Sequence, residues 1–167
     1  MWIERKNKKY YLDSKKKGLR VRYSAITLPD PALKKAISCF IKWITTQYFF
    51  PIRCNVIIKP CPYFISREEK RNRSYGDFYY YDNSINKTPF IWIASGKYYT
   101  SKNKQGNIEN ILFTIAHELT HYFQWYFYEY ENRSDRSLEI EANKWARYLV
   151  GDFLVECERL MVSKWWT

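Results

Sequence analysis

Helical periodicity over Asn107 to about Glu129, and again over about Asp135 to Leu160, constrains this chain more than any other feature, and the polar link YENRS joins the two stretches. A helix turns about 100° per residue, so position along it sets where a side chain points. In the first stretch Ile108, Ile111, Leu112, Ile115, Leu119, Tyr122 and Tyr126 gather on one side. His117 and His121 point together to the other side, toward a cleft rather than into the core stripe. They are the only 2 histidines among 167 residues, which makes coincidence a poor explanation for their spacing.

Imidazoles one helical turn apart are neighbours and can share one Zn²⁺ at about 2.0 to 2.1 Å. Glu118 follows the first histidine and is rotated off the pair, close to a metal without being forced to ligate it. There it can take a proton from a metal-activated water and later pass it to a leaving amine. The stretch His117-Glu118-Leu119-Thr120-His121 is thus an HExxH pattern on a helix.

A catalytic zinc needs a third protein ligand and an open position, and with no histidine left that ligand is a carboxylate or a thiolate. In the second helical stretch Ala142, Asn143, Ala146, Val150, Phe153, Leu154 and Cys157 fall within about 60° of Glu139, on the face that packs inward. Glu141 differs from Glu139 by about 200° and is expected in solvent with Tyr148. A carboxylate on an inward face needs a partner, either a metal or a buried Lys or Arg. The alanines let this helix approach the first closely, and Asn143, one turn from Glu139, is placed to accept a hydrogen bond from His117 or His121.

HELTH followed by EIEAN resembles the gluzincins, zinc peptidases whose HExxH helix is completed by a glutamate on the next helix. The resemblance spans Pro89 to about Leu154 and is greatest to the one-domain minigluzincins; zinc peptidases that cleave phage-type repressors are similar. It implies a zincin-like α+β fold binding one Zn²⁺ per chain, with His117, His121 and Glu139 as ligands, Glu118 as general base and Asn143 supporting a histidine. Asn143 departs from the commoner Asp of the family pattern. The resemblance also implies a strand before the active-site helix whose free edge takes up the peptide, a role that falls on Ile91, Trp92, Ile93 and Ala94. A Tyr, His or Arg usually faces the oxyanion in such sites; histidine is excluded by count, and Arg147 lies at the rim of the Glu139 face.

The rest of the chain supplies a scaffold. Asp30 and Pro31 offer a cap and first turn for a helix over Ala32 to Phe49, and CNVIIK, SYGDFYYY and PFIWIAS have the β-branched and aromatic character of short strands. Helix, small mostly antiparallel sheet, histidine helix and glutamate helix make an α+β domain of residues 1–167, long enough to bury about 70% of the unfolded surface. Cys39, Cys54, Cys61 and Cys157 show no CxxC spacing and are expected as reduced thiols. The charged start and the lack of a long apolar run point to a soluble, cytoplasmic monomer without a membrane partner.

The net charge is +11, and much of it lies in residues 1–22, where nine Lys and Arg face only Glu4 and Asp13. That basic segment fits nucleic acid, an ordinary solvated arm, or a latency segment in which GLRVRYSAI adds as a strand near Ile91. The expected activity is zinc-dependent hydrolysis of a peptide or protein substrate. The alternative is a zincin-like binding domain that engages nucleic acid or a protein with little hydrolysis. An intact Glu118 favours the enzyme, since a purely structural zinc site would fill its fourth position with Cys or His.

Overall fold

The computed structural model describes residues 2–11, 16–24, 29–65, 73–81 and 88–159. In chain order these form β1 (Leu19–Tyr23), α1 (Pro31–Gln47), β2 (Cys54–Lys59), β3 (Phe64–Ile65), β4 (Arg73–Ser74), β5 (Gly76–Tyr79), β6 (Phe90–Ala94), α2 (Gly96–Thr100), α3 (Lys104–Tyr126) and α4 (Asp135–Arg159), with 3-10 turns at Arg5–Tyr10 and Glu129–Glu131. The arrangement is α+β with a small mixed sheet. Asp30 starts α1 as its sequence suggests, with Oδ1 accepting from the amides of Ala32 at 2.9 Å and Leu33 at 3.3 Å.

The four-stranded sheet has the order β1-β2-β6-β5, and β3 pairs with β4 in a separate ribbon. The expectation of a mostly antiparallel sheet is corrected: β1–β2 and β2–β6 are parallel, and only β5–β6 is antiparallel. The reason lies in the connections. Strands separated by α1, or by the whole β3–β5 segment, return in the same direction after a crossover, whereas β5 and β6 follow each other directly.

This order also moves the free edge. Ile91, Trp92, Ile93 and Ala94 lie in β6, which is paired on both sides, so its backbone cannot receive an added strand. The outer strand on that side is β5.

The described part of the basic N-terminal segment does not run beside β6. Its Leu19–Tyr23 part pairs with β2 at the edge of the sheet opposite β5, so GLRVRYSAI is not a strand laid beside Ile91. Trp2 and Ile3 are buried in the core. Trp2 Nε1 donates to Thr120 Oγ1 of α3 at 3.2 Å, and the Phe49 amide donates to the Ile3 carbonyl at 2.7 Å. The described part of residues 1–22 is therefore structural, and truncating it would strip apolar residues from the core rather than open a site. Met1, residues 12–15, Ala25 and Ile26 of the same region lie outside the described residues, as does Leu160.

One face of the sheet carries the core. Val56, Ile58, Ile91 and Ile93 are buried there against Leu33, Ile37, Phe40 and Ile44 of α1 and Ile108, Leu112, Ile115 and Leu119 of α3. Each such side chain contributes about 1.5 to 3 kcal/mol when fully buried. Tyr122 fixes α3 to the chain before β2, its hydroxyl donating to the Ile52 carbonyl at 2.8 Å and accepting from the Ile52 amide at 3.0 Å. Small residues let α4 lie close on α3, with Ala142 and Ala146 fully buried. All four cysteines are free thiols. Among the described residues no helix is long and apolar enough to cross a membrane.

Candidate metal centre

Asn103 begins α3, its Oδ1 accepting from the Gly106 amide at 2.9 Å, and the helix then runs unbroken past both histidines. Tyr128, at φ 57°, turns the chain out of the helix, and α4 returns along α3. The return places Glu139 opposite the histidine pair. His121 Nε2 lies 3.1 Å from Glu139 Oε1, His117 Nε2 lies 3.4 Å from Glu139 Oε2, and the two imidazole Nε2 atoms are 3.1 Å apart. Donors held at 2.0 to 2.1 Å around a tetrahedral zinc are separated by about 3.3 to 3.4 Å, so this group, with each imidazole facing a different oxygen of Glu139, is near the size such an ion needs and has the right donor chemistry. The Glu139 carboxyl is held well below the usual carboxylate range, first by its hydrogen bond with His117 and then by that with His121. In His121 burial opposes protonation, but Glu139, Glu118 and Gln124 outweigh it and raise its pKa.

These atoms lie in a cleft of about 910 Å³. Residues of β3, β4 and β5 form one wall, with Thr114, His117 and Glu118 of α3 below and Leu138, Glu139 and Asn143 of α4 opposite. The Glu139 side chain is 55% exposed, so the approach is open from the solvent side. Glu118 is 6% exposed, and burial raises its carboxyl to about 7, with His117 and His121 pulling the other way and Asp77 adding to the rise. A base near that value is matched to neutral pH.

Gly76 explains how β5 passes so close to this carboxyl. A Cβ there would stand 2.7 Å from Glu118 Oε1 and 2.5 Å from Thr114 Cγ2, distances no real side chain tolerates. Gly76→Ala is therefore expected to push Glu118 or β5 aside while leaving His117, His121 and Glu139 in place. If Glu118 serves as the base expected from the sequence, metal content is retained and peptide cleavage falls about 10-fold to 100-fold, within what a displaced catalytic group costs, the two being measured side by side.

Several sequence-based expectations need correction. Asn143 lines the cleft but does not support a histidine; its Nδ2 donates to the Glu139 carbonyl of its own helix at 2.9 Å. The residue bonded to His121 is Gln124, with Oε1 2.6 Å from Nδ1. Glu141 is not solvated; it is ion-paired with Arg133 and accepts from Gln124 Nε2 at 3.3 Å. Arg147 is exposed and does not line the cleft. The residue that reaches the cleft beside His121 is Tyr130, whose ring stacks on the imidazole at 6.4 Å between centroids. Gly76, Gln124 and Tyr130 were not singled out from sequence. Only Gln124 carried a signal there, lying one helical turn beyond His121.

No family model, no curated protein and no solved structure matches the chain.

Proposed function

We propose that the chain is a zinc-dependent peptidase of the gluzincin kind, with His117, His121 and Glu139 holding the metal and Glu118 acting as general base. One observation carries this reading: two imidazole nitrogens and a carboxylate converge within 3.1 to 3.4 Å of one another, lining an open cleft with a buried glutamate beside them. Without an ion, imidazole protons hold these atoms together as hydrogen bonds to Glu139, and a metal cation would take the place of those protons as the positive charge among them. A zinc ion supplies that charge and, with it, the Lewis acidity that activates a water and polarises a peptide carbonyl.

The protein's own groups perform the remaining tasks. Glu118 accepts the proton that the attacking water loses and delivers it to the departing amine nitrogen, so the peptide C–N bond breaks without an amide anion leaving. An extended peptide would add beside β5, the strand at the end of the sheet order next to the cleft. Phe64, Tyr75, Tyr79, Trp92 and Phe113 surround that edge and offer apolar contact to alternate side chains. Tyr130 is the candidate to donate to the oxyanion that forms as water adds to the carbonyl, its hydroxyl turning from the long 3.5 Å contact it makes with the His121 carbonyl.

The test is metal analysis combined with cleavage of a denatured-protein or peptide-library substrate. Protein purified without chelator is expected to carry about one zinc per chain, to lose it together with cleavage on chelator treatment, and to regain both on adding zinc. His117→Ala is expected to carry none. A wild-type protein free of metal and unable to take up zinc overturns the reading.

A further inference from the structure

Gln124 is fully buried, and both ends of its amide are engaged. Its Nε2 donates to the Leu138 carbonyl at 3.0 Å and to Glu141 Oε2 at 3.3 Å. With acceptors for both amide hydrogens on one side, the oxygen must face the imidazole, where Oε1 lies 2.6 Å from His121 Nδ1. A carbonyl oxygen has no proton to give. His121 therefore carries a proton on Nδ1, and its Nε2, the atom directed at His117 and Glu139, is left as the donor toward a metal.

Glu141 is itself held in place. Arg133 pairs with it and with Glu129, and the same guanidinium donates to Ser137 Oγ at 3.0 Å. A chain of bonds thus runs from the connection between α3 and α4, through Glu141 and Gln124, to the ring of His121. We propose that Gln124, clamped by Glu141 and the Leu138 carbonyl, is a positioning residue that fixes the tautomer and direction of His121 for metal binding. The inference rests on the metal reading above. It gives α4 two parts in one centre: Glu139 meets the metal, while Glu141, two residues further on, orients a histidine of the other helix without touching the site.

The experiment measures zinc affinity of the full chain by chelator competition and follows the His121 ring by long-range ¹H–¹⁵N NMR of the zinc-loaded protein. Gln124→Ala and Gln124→Met are expected to bind zinc about 10-fold to 100-fold more weakly, the usual cost of losing a partner behind a ligand. Methionine matches glutamine in length and guards against a loss of folding. The Nδ1 proton, protected from solvent exchange in wild type, is expected to exchange rapidly in both. Gln124→Glu combined with Glu141→Gln interchanges carboxylate and amide, keeps an acceptor on Nδ1, and is expected to recover most of the affinity. A purely structural role would lower stability in these variants but leave the zinc affinity of the folded protein and the ring proton unchanged. Folded single variants that bind zinc as tightly as a tightly binding wild type overturn this inference alone. A wild type that binds no zinc removes the metal reading and this inference together.

Discussion

Glu118→Gln is expected to leave the metal bound and the fold intact while lowering cleavage about 10²-fold to 10⁴-fold, the usual contribution of a general base. Glutamine matches glutamate in shape, so the close packing under Gly76 survives. Replacing this buried carboxyl removes a group that costs free energy to ionise where it stands, so stability is expected to hold or rise slightly. The measurement is single-substrate turnover beside zinc content and thermal melting of the same preparations. Unchanged turnover would assign the proton transfer to another group, with Asp77, half-buried and lining the same cleft, the next to examine.

Glu139→Ala carries the second large effect. It removes one of three protein donors, and zinc affinity is expected to fall by more than the roughly 100-fold that loss of an outer partner costs, with cleavage abolished at ordinary zinc concentrations. Loss of the ion also removes whatever stability its binding to the native state contributes. Glu141→Ala is the informative comparison. Sequence phase alone predicts a surface substitution worth no more than about 0.5 kcal/mol. With Arg133 and Gln124 both bonded to that carboxylate, the expected cost rises to about 1 to 2 kcal/mol, because a hydrogen bond to a charged group is lost and a guanidinium loses one of its two carboxylate partners. Chelator competition and denaturant titration on the two variants separate the roles: Glu139→Ala should lose metal first, and Glu141→Ala should lose stability first.

The parts of this site that were legible in the sequence are those governed by the rigid geometry of a helix. His117 and His121 share a face because one turn separates them, and Glu139 meets them because the alanines after it mark the packing side of α4. What was not legible depends on competition between partners. Asn143 has the right phase for a supporting role, yet its amide donates to a carbonyl of its own helix. Glu141 points away from the metal, but Arg133, in a connection with no periodicity to read, reaches it. Gln124 is an ordinary helix former by composition, and only burial turns its amide into a constraint.

The sheet failed differently. A strand's alternation tells which residues face the core but not which strand lies beside it, so the small strands looked like a hairpin series. The near-continuous apolar run of Phe90–Ala94 is the mark of a strand enclosed by neighbours, and it fits the central place of β6 better than an edge. The N-terminal segment misled through its charge. Trp2 and Ile3 precede the lysines and anchor the chain behind α3, where a basic run would otherwise suggest a loose arm.

The close return of α4 along α3 has a mechanical meaning once an ion bridges His121 and Glu139. The bridge then acts as a removable cross-link closing a loop of roughly 15 to 20 residues, which in the entropic picture of a disulfide of that span is worth about 3 kcal/mol to the pair of helices. The strands lie outside the loop so closed, and β5 and β6 meet it through their packing on α3. Zinc would thus act unevenly on the molecule, slowing amide exchange across the α3–α4 hairpin far more than in the strands. A cell short of zinc would then hold the same chain with a looser helical half, more open to proteases than the metal-loaded form.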